Sequence, residues 1–190
     1  MLQFNIMNTV NYTTQNELLL NNLMDFYKDE TNLSRMLKII TGDSKISLRI
    51  VDWFATNYAK KYYTLFVIDN NRRFKVYYDY KLKLKAYSKK RFDPFCRWER
   101  ISIPYKNGTC IETTIGQLNF FKWAIENQVI NYIEENYDTI EKDMNNRNST
   151  SKRKESGLDN TKTRKKREEL SVSATKSIKK EEVEIVVQFH

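Results

Sequence analysis

Eight cationic side chains, Lys81, Lys83, Lys85, Lys89, Lys90, Arg91, Arg97 and Arg100, stand between positions 81 and 100 and meet only two acidic ones there, Asp93 and Glu99. Five aromatic residues, Tyr80, Tyr87, Phe92, Phe95 and Trp98, are set in or beside that window. Residues 1–140 as a whole hold 20 basic and 15 acidic side chains, so this window alone accounts for the basic surplus. Ammonium and guanidinium groups interleaved with rings suit a surface that neutralises phosphates with the former and stacks bases on the latter. Tyr87 and Trp98 are the candidate stacking residues. The same stretch also reads as a solvated basic strand followed by a buried aromatic turn.

Other chemistries lack their residues. The single histidine is His190, at the end of the chain, so no histidine triad or acid–base pair forms in the body. Two cysteines, Cys96 and Cys110, do not close a structural zinc site alone, and they are expected as free, buried thiols. Four glycines leave no phosphate-cradling loop, which removes nucleotide-hydrolysing and dinucleotide-binding readings. Asp52, Asp79, Asp93 and Glu112 have no spacing that brings them together. A non-enzymatic protein with no catalytic residues, no metal and no cofactor is expected.

The elements that must position the basic window follow from pattern. Thr14-Gln15-Asn16-Glu17 fits a capping box, and Leu19, Leu23, Phe26 and Tyr27 then share one helical face up to about Glu30. Thr31 is placed to cap a second helix carrying Leu33, Met36, Leu37 and Ile40, with Gly42 to stop it. Asp43 or Ser44 is placed to cap a third, whose apolar face is Ile46, Ile50, Val51, Phe54 and Tyr58, flanked by Trp53. A helix-turn-helix across Thr41–Ser44, with Lys45, Arg49 and Asn57 on the reading helix, is the alternative to a plain helical hairpin. From Tyr62 the period becomes that of strands: Tyr62–Ile68, a turn at Asp69–Asn71, and Phe74–Tyr78 read as a hairpin.

Lys81-Leu82-Lys83-Leu84-Lys85 alternates as an exposed strand does, and lysines of this kind also protect a sheet edge. A helix over Lys81–Lys90 competes with that reading. Asp93-Pro94 ends whatever precedes it and makes a corner with Phe92 or Phe95 buried. Ile101–Tyr105 and Thr109–Thr113 form a second hairpin. A three-residue loop with Gly108 left-handed pairs Ile103 with Ile111 and sets Cys110 against Pro104, which marks an edge strand. Thr114-Ile115-Gly116-Gln117 is another capping box, opening a long helix to about Lys142 with Leu118, Phe121, Ile125, Val129, Tyr132 and Ile133 on one face.

The expected class is α+β: N-terminal helices, a small antiparallel sheet of two hairpins, a long C-terminal helix and a disordered basic tail. Residues 1–142 form a single domain, residues 143–182 are too poor in apolar groups to order, and residues 183–190 make a short apolar end. In the tail, Lys152-Arg153 and Arg164-Lys165-Lys166-Arg167 have the layout of a bipartite nuclear-import signal, or equally of a solvated linker. The alternating Val183, Ile185, Val187 and Phe189 suit strand addition to a partner. No apolar run is long enough to span a membrane and the N-terminus lacks signal-peptide order, so a soluble intracellular protein with reduced thiols is expected. A net charge of +9 bears on partners rather than fold, leaving nucleic acid, an acidic protein or an anionic surface.

Three blocks carry a resemblance: Ile50-Val51-Asp52-Trp53-Phe54 with Asn57–Lys61, Leu84–Lys90 with Phe92–Arg97, and Thr113–Trp123. Over about residues 46–130 the chain resembles a short uncharacterised protein family of nucleocytoplasmic large DNA viruses. The resemblance implies a viral source and an infected-cell location, in the viral factory, the nucleus or the virion, and no mechanism. The expected function is a non-enzymatic viral accessory protein that binds DNA or RNA through the 80–100 stretch. A structural module that docks the same patch on an acidic viral protein is the alternative.

Overall fold

The protein is described by a computed structural model covering residues 14–68, 71–96, 99–105, 109–155 and 180–182. Helix α1 (Thr14–Tyr27) buries Leu20, Leu23 and Tyr27, and the Tyr27 hydroxyl donates to the distant Leu118 carbonyl at 2.7 Å. Helix α2 (Glu30–Thr41) is capped two residues earlier than expected, by the Asp29 carboxylate accepting the Thr31 amide at 2.8 Å. It stops at Gly42, which takes the left-handed conformation (φ 86°) that costs glycine little.

Helix α3 (Leu48–Trp53) starts at Ser47, whose hydroxyl accepts the Ile50 amide at 3.3 Å. The expected caps, Asp43 and Ser44, serve the preceding turn instead: they accept from the Thr41 hydroxyl (2.7 Å) and the Ile46 amide (3.1 Å). From α3 the helical path passes through a π-helical stretch (Phe54–Tyr58) into α4 (Ala59–Lys61). The wider turn carries the buried Phe54, Ala55 and Tyr58. This removes the helix-turn-helix reading. α3 is short and buries Leu48, Ile50 and Val51, while the Lys45 ammonium lies 3.2 Å from Asp138 and 4.1 Å from the centre of the Tyr137 ring.

Strands β1 (Leu65–Ile68) and β2 (Arg72–Lys75) form an antiparallel hairpin with Phe66 opposite Phe74. The second strand ends three residues before the expected Tyr78, because helix α5 (Val76–Phe92) begins there. Lys81–Lys85 is therefore helical, and the strand reading of its alternation is corrected. A strand would bury Leu82 with Leu84, whereas Leu82 is 66% exposed and burial falls on Val76, Tyr80 and Phe92. The regular path of α5 breaks at Ser88 (φ 64°, ψ 168°).

Strands β3 (Arg100–Pro104) and β4 (Thr109–Thr114) pair in the expected register, with Ile103 opposite Ile111 and Pro104 opposite Cys110. β3 is an edge, as its proline requires. Among the described residues the two hairpins do not share one sheet: β1 pairs with β2, and β4 pairs on its other side with β5 (Lys180–Glu182). Residues 183–190 lie outside the described residues.

Thr114 caps helix α6 (Ile115–Glu126), its hydroxyl accepting the Gln117 amide at 3.1 Å. The single long helix expected from here is broken into α6, α7 (Val129–Glu135) and α8 (Tyr137–Glu155). At each break an asparagine side chain bonds the carbonyl four residues back, Asn127 to Trp123 (2.8 Å) and Asn136 to Tyr132 (2.9 Å). Such bonds compete with the helical ladder, and Gln128 between the first two helices is left-handed (φ 56°). Helix α8 runs past the expected boundary after residue 142. Asp143, with only 7% of its side chain exposed, accepts from Lys61 (2.6 Å), Tyr62 (3.1 Å) and the Trp53 indole (3.3 Å), so it ties α8 to the π-helical region.

The core is aromatic where α5 meets α6. Tyr80, Phe92, Phe120 and Trp123 contact one another with ring centres 5.6–6.3 Å apart, and Phe92 and Phe120 are fully buried. Edge-to-face and tilted rings at this spacing add to the burial itself.

Candidate nucleic-acid interface

Helix α5 presents its cations as it does because its opposite side is anchored. Tyr80 and Phe92 enter the aromatic cluster, and the Asp79 carboxylate accepts the Trp123 indole N–H at 2.7 Å. The helix's acidic group is thereby drawn to the core side. On the outer side, Tyr78, Lys81, Leu82, Leu84, Lys85 and Lys89 line an open groove of about 570 Å³. Lys81 and Lys85 are one turn apart, as are Tyr78 and Leu82, so cations and apolar groups run side by side along the helix. Among the described residues no carboxylate lines this groove.

Lys89 reaches the groove from beyond the break at Ser88, and the segment after the break is gripped from below by the start of α6. The Asn119 amide donates to the Arg91 carbonyl at 2.9 Å. Gln117 donates to the Pro94 carbonyl at 3.4 Å while accepting the Thr113 hydroxyl at 2.9 Å. Gly116 allows backbone to meet backbone: a Cβ there would stand 2.9 Å from the Asp93 carbonyl oxygen and 3.0 Å from that of Lys90. Asp93 in turn accepts the Phe95 amide on its carboxylate (2.9 Å) and the Cys96 amide on its carbonyl (3.1 Å), forming the corner before Pro94. Phe92 is fully buried at this corner and Phe95 half-buried.

The expected contact residues separate in space. Lys81, Lys85 and Lys89 converge on the groove. Lys90 is exposed on the segment after the break, whereas Lys83 and Arg91 are half-buried. Tyr87 stacks on Phe92, with ring centres 6.1 Å apart and planes at 19°, so its ring is part of the core boundary rather than an open platform. Arg100 is on β3 and pairs with Glu112 at 2.9 Å. Arg97 and Trp98 lie outside the described residues. Of the import candidates, Lys152 and Arg153 fall within α8, and Arg164, Lys165, Lys166 and Arg167 lie outside the described residues. Cys96 and Cys110 are free, half-buried thiols.

Sequence reading missed Tyr78, which it assigned to a strand, although Tyr78–Leu82 and Lys81–Lys85–Lys89 both recur at four-residue spacing. It also missed a carboxyl setting. Burial, and then the charge of Asp93, raise the Asp52 carboxyl to a pKa of about 7. Burial, then Asp52, then Asp93, push the Tyr80 phenol well above its ordinary range. The charge of Asp93 thus acts on Asp52, although nothing in their sequence spacing signals it. Among the described residues, no group of three or more His, Cys, Asp or Glu gathers as a metal site.

An α+β domain with a basic helix clamped over the start of another defines the class of structure. The chain belongs to the family of unknown function DUF7197, whose profile matches residues 2–189. It is similar to Uncharacterized protein L507 of Acanthamoeba polyphaga mimivirus, at 46% identity over 138 residues, or 68% of this chain and 52% of that protein. The chain thus spans about half the length of that curated relative. The giant-virus resemblance read from the three sequence blocks is therefore shown. No solved structure matches the chain. Among the described residues, no helix is long and apolar enough to cross a membrane.

Proposed function

We propose that the chain is a non-enzymatic viral accessory protein that binds nucleic acid in the infected cell through the outer face of α5. One observation carries the reading: Lys81, Lys85 and Lys89 converge on a single groove with no carboxylate among its lining residues. Cations gathered without local counter-charge attract a polyanion and release its condensed counterions on binding. The clamp from Gly116, Gln117 and Asn119 supports this role by setting where Lys89 and Lys90 emerge.

The second reading, an acidic protein partner, is favoured by the exposure of Tyr78 (58%) and Leu82 (66%) between the lysines. Apolar contact next to charge pairing is what a protein interface supplies. Competition separates the two. The purified chain is titrated with labelled oligonucleotide and challenged with polyglutamate and with unlabelled nucleic acid at equal charge. Displacement by nucleic acid alone supports the proposed function. Displacement by polyglutamate at least as strong as by unlabelled nucleic acid, or no oligonucleotide binding in about 50 mM salt where phosphate contacts are strong, replaces it with the protein-partner reading.

A further inference from the structure

We infer that the groove on α5 takes a single-stranded nucleic acid, with Tyr78 as the residue on which a base stacks; this rests on the nucleic-acid reading above. A duplex presents an unbroken row of phosphates, and a helix that only tracks that row needs cations and little else. The groove has more than cations. Tyr78 is 58% exposed and Leu82 66% exposed, and with Leu84 they provide apolar lining between Lys81, Lys85 and Lys89. Bases whose faces are open to solvent, as in a single strand, bury those faces on such a surface, while a duplex keeps its faces stacked inside.

The Tyr78 ring touches one neighbouring ring while staying 58% exposed. It packs edge-to-face on Tyr77, with centres 6.1 Å apart, and the Lys60 ammonium lies 5.7 Å from the centre of the Tyr77 ring. Tyr87, the more obvious candidate by its place among the cations, is already stacked on Phe92.

The test uses the full chain, fluorescence anisotropy, and labelled oligo-dT, oligo-U and a duplex of equal length. The expected result is tighter binding of at least one single strand than of the duplex. Tyr78→Ala then weakens single-strand binding on the order of ten-fold, Tyr78→Phe retains it, and duplex binding is unmoved. Tighter binding of either oligo-dT or oligo-U than of the duplex supports the inference. Equal or tighter duplex binding, or a Tyr78→Ala variant that binds single strands like the parent, overturns it while leaving the nucleic-acid reading standing. Should neither single strand nor duplex bind the parent, both readings fall. Because Tyr78 is exposed, Tyr78→Ala is expected to melt with the parent; if it does not, Tyr78→Leu, which keeps apolar bulk without the ring, decides by the same comparison.

Discussion

Asp52 and Asp143 show how single surroundings move a carboxyl in opposite directions. Burial acts to raise Asp143, but the Lys61, Tyr62 and Trp53 donors win and hold it below its ordinary value. For Asp52, burial and then the charge of Asp93 prevail and raise it from 3.8 to about 7. Between about pH 4 and pH 7 the folded chain keeps a proton on Asp52 that the unfolded chain has released. Stability from this group is therefore full below pH 4 and is lost as pH rises to 7, by at most about 1.4 kcal/mol per pH unit. Asp52→Asn removes the titration. Its stability relative to the parent is expected to rise from pH 4 to 7 and level off above, as read by urea denaturation across that range. Parallel profiles for the two proteins would show that Asp52 titrates normally.

At the scale of elements, α5 and its clamp set the site, and two substitutions there are expected to act in opposite directions. Ser88 holds a backbone conformation that glycine adopts freely and other residues at a cost on the order of 1–3 kcal/mol. Ser88→Gly recovers part of that, less the entropy glycine adds to the unfolded chain, and should raise the melting temperature modestly. Gly116→Ala forces a methyl against two backbone carbonyls that cannot swing away, and should cost about 1–3 kcal/mol. Thermal melts of both variants check this, and equal melting would mean the 88–95 segment is not gripped as described. The caps at Gly42 and Thr114 and the β3–β4 register were legible, since each depends on local chemistry or a strict two-residue period. Helix α5 was ambiguous because five alternating residues fit either period, and only burial of Tyr80 and Phe92 against α6 decides it. The Ser88 break was not legible, because serine has no special claim on that conformation and no residue beside it in sequence marks the break. Tyr78 was missed as a consequence of misplacing the strand end.

For the whole molecule, the domain reaches beyond the boundary that composition suggested, because Asp143 and Met144 are buried within an otherwise polar α8. A chain ending at residue 142 loses the bonds to Lys61, Tyr62 and Trp53 and is expected to be less stable by about 3 kcal/mol than one ending at residue 155. Equal melting of the two would return the boundary to residue 142. The central claim is that charge on one side of this molecule meets phosphate, and the salt dependence of oligonucleotide binding tests it most directly. For the full chain, the logarithm of affinity should fall linearly with the logarithm of salt concentration. Changing Lys81, Lys85 and Lys89 together to Ala should flatten that slope by about 2, at roughly 0.7 per contact for a single strand. A triple variant that binds with the parent's slope would contradict the account.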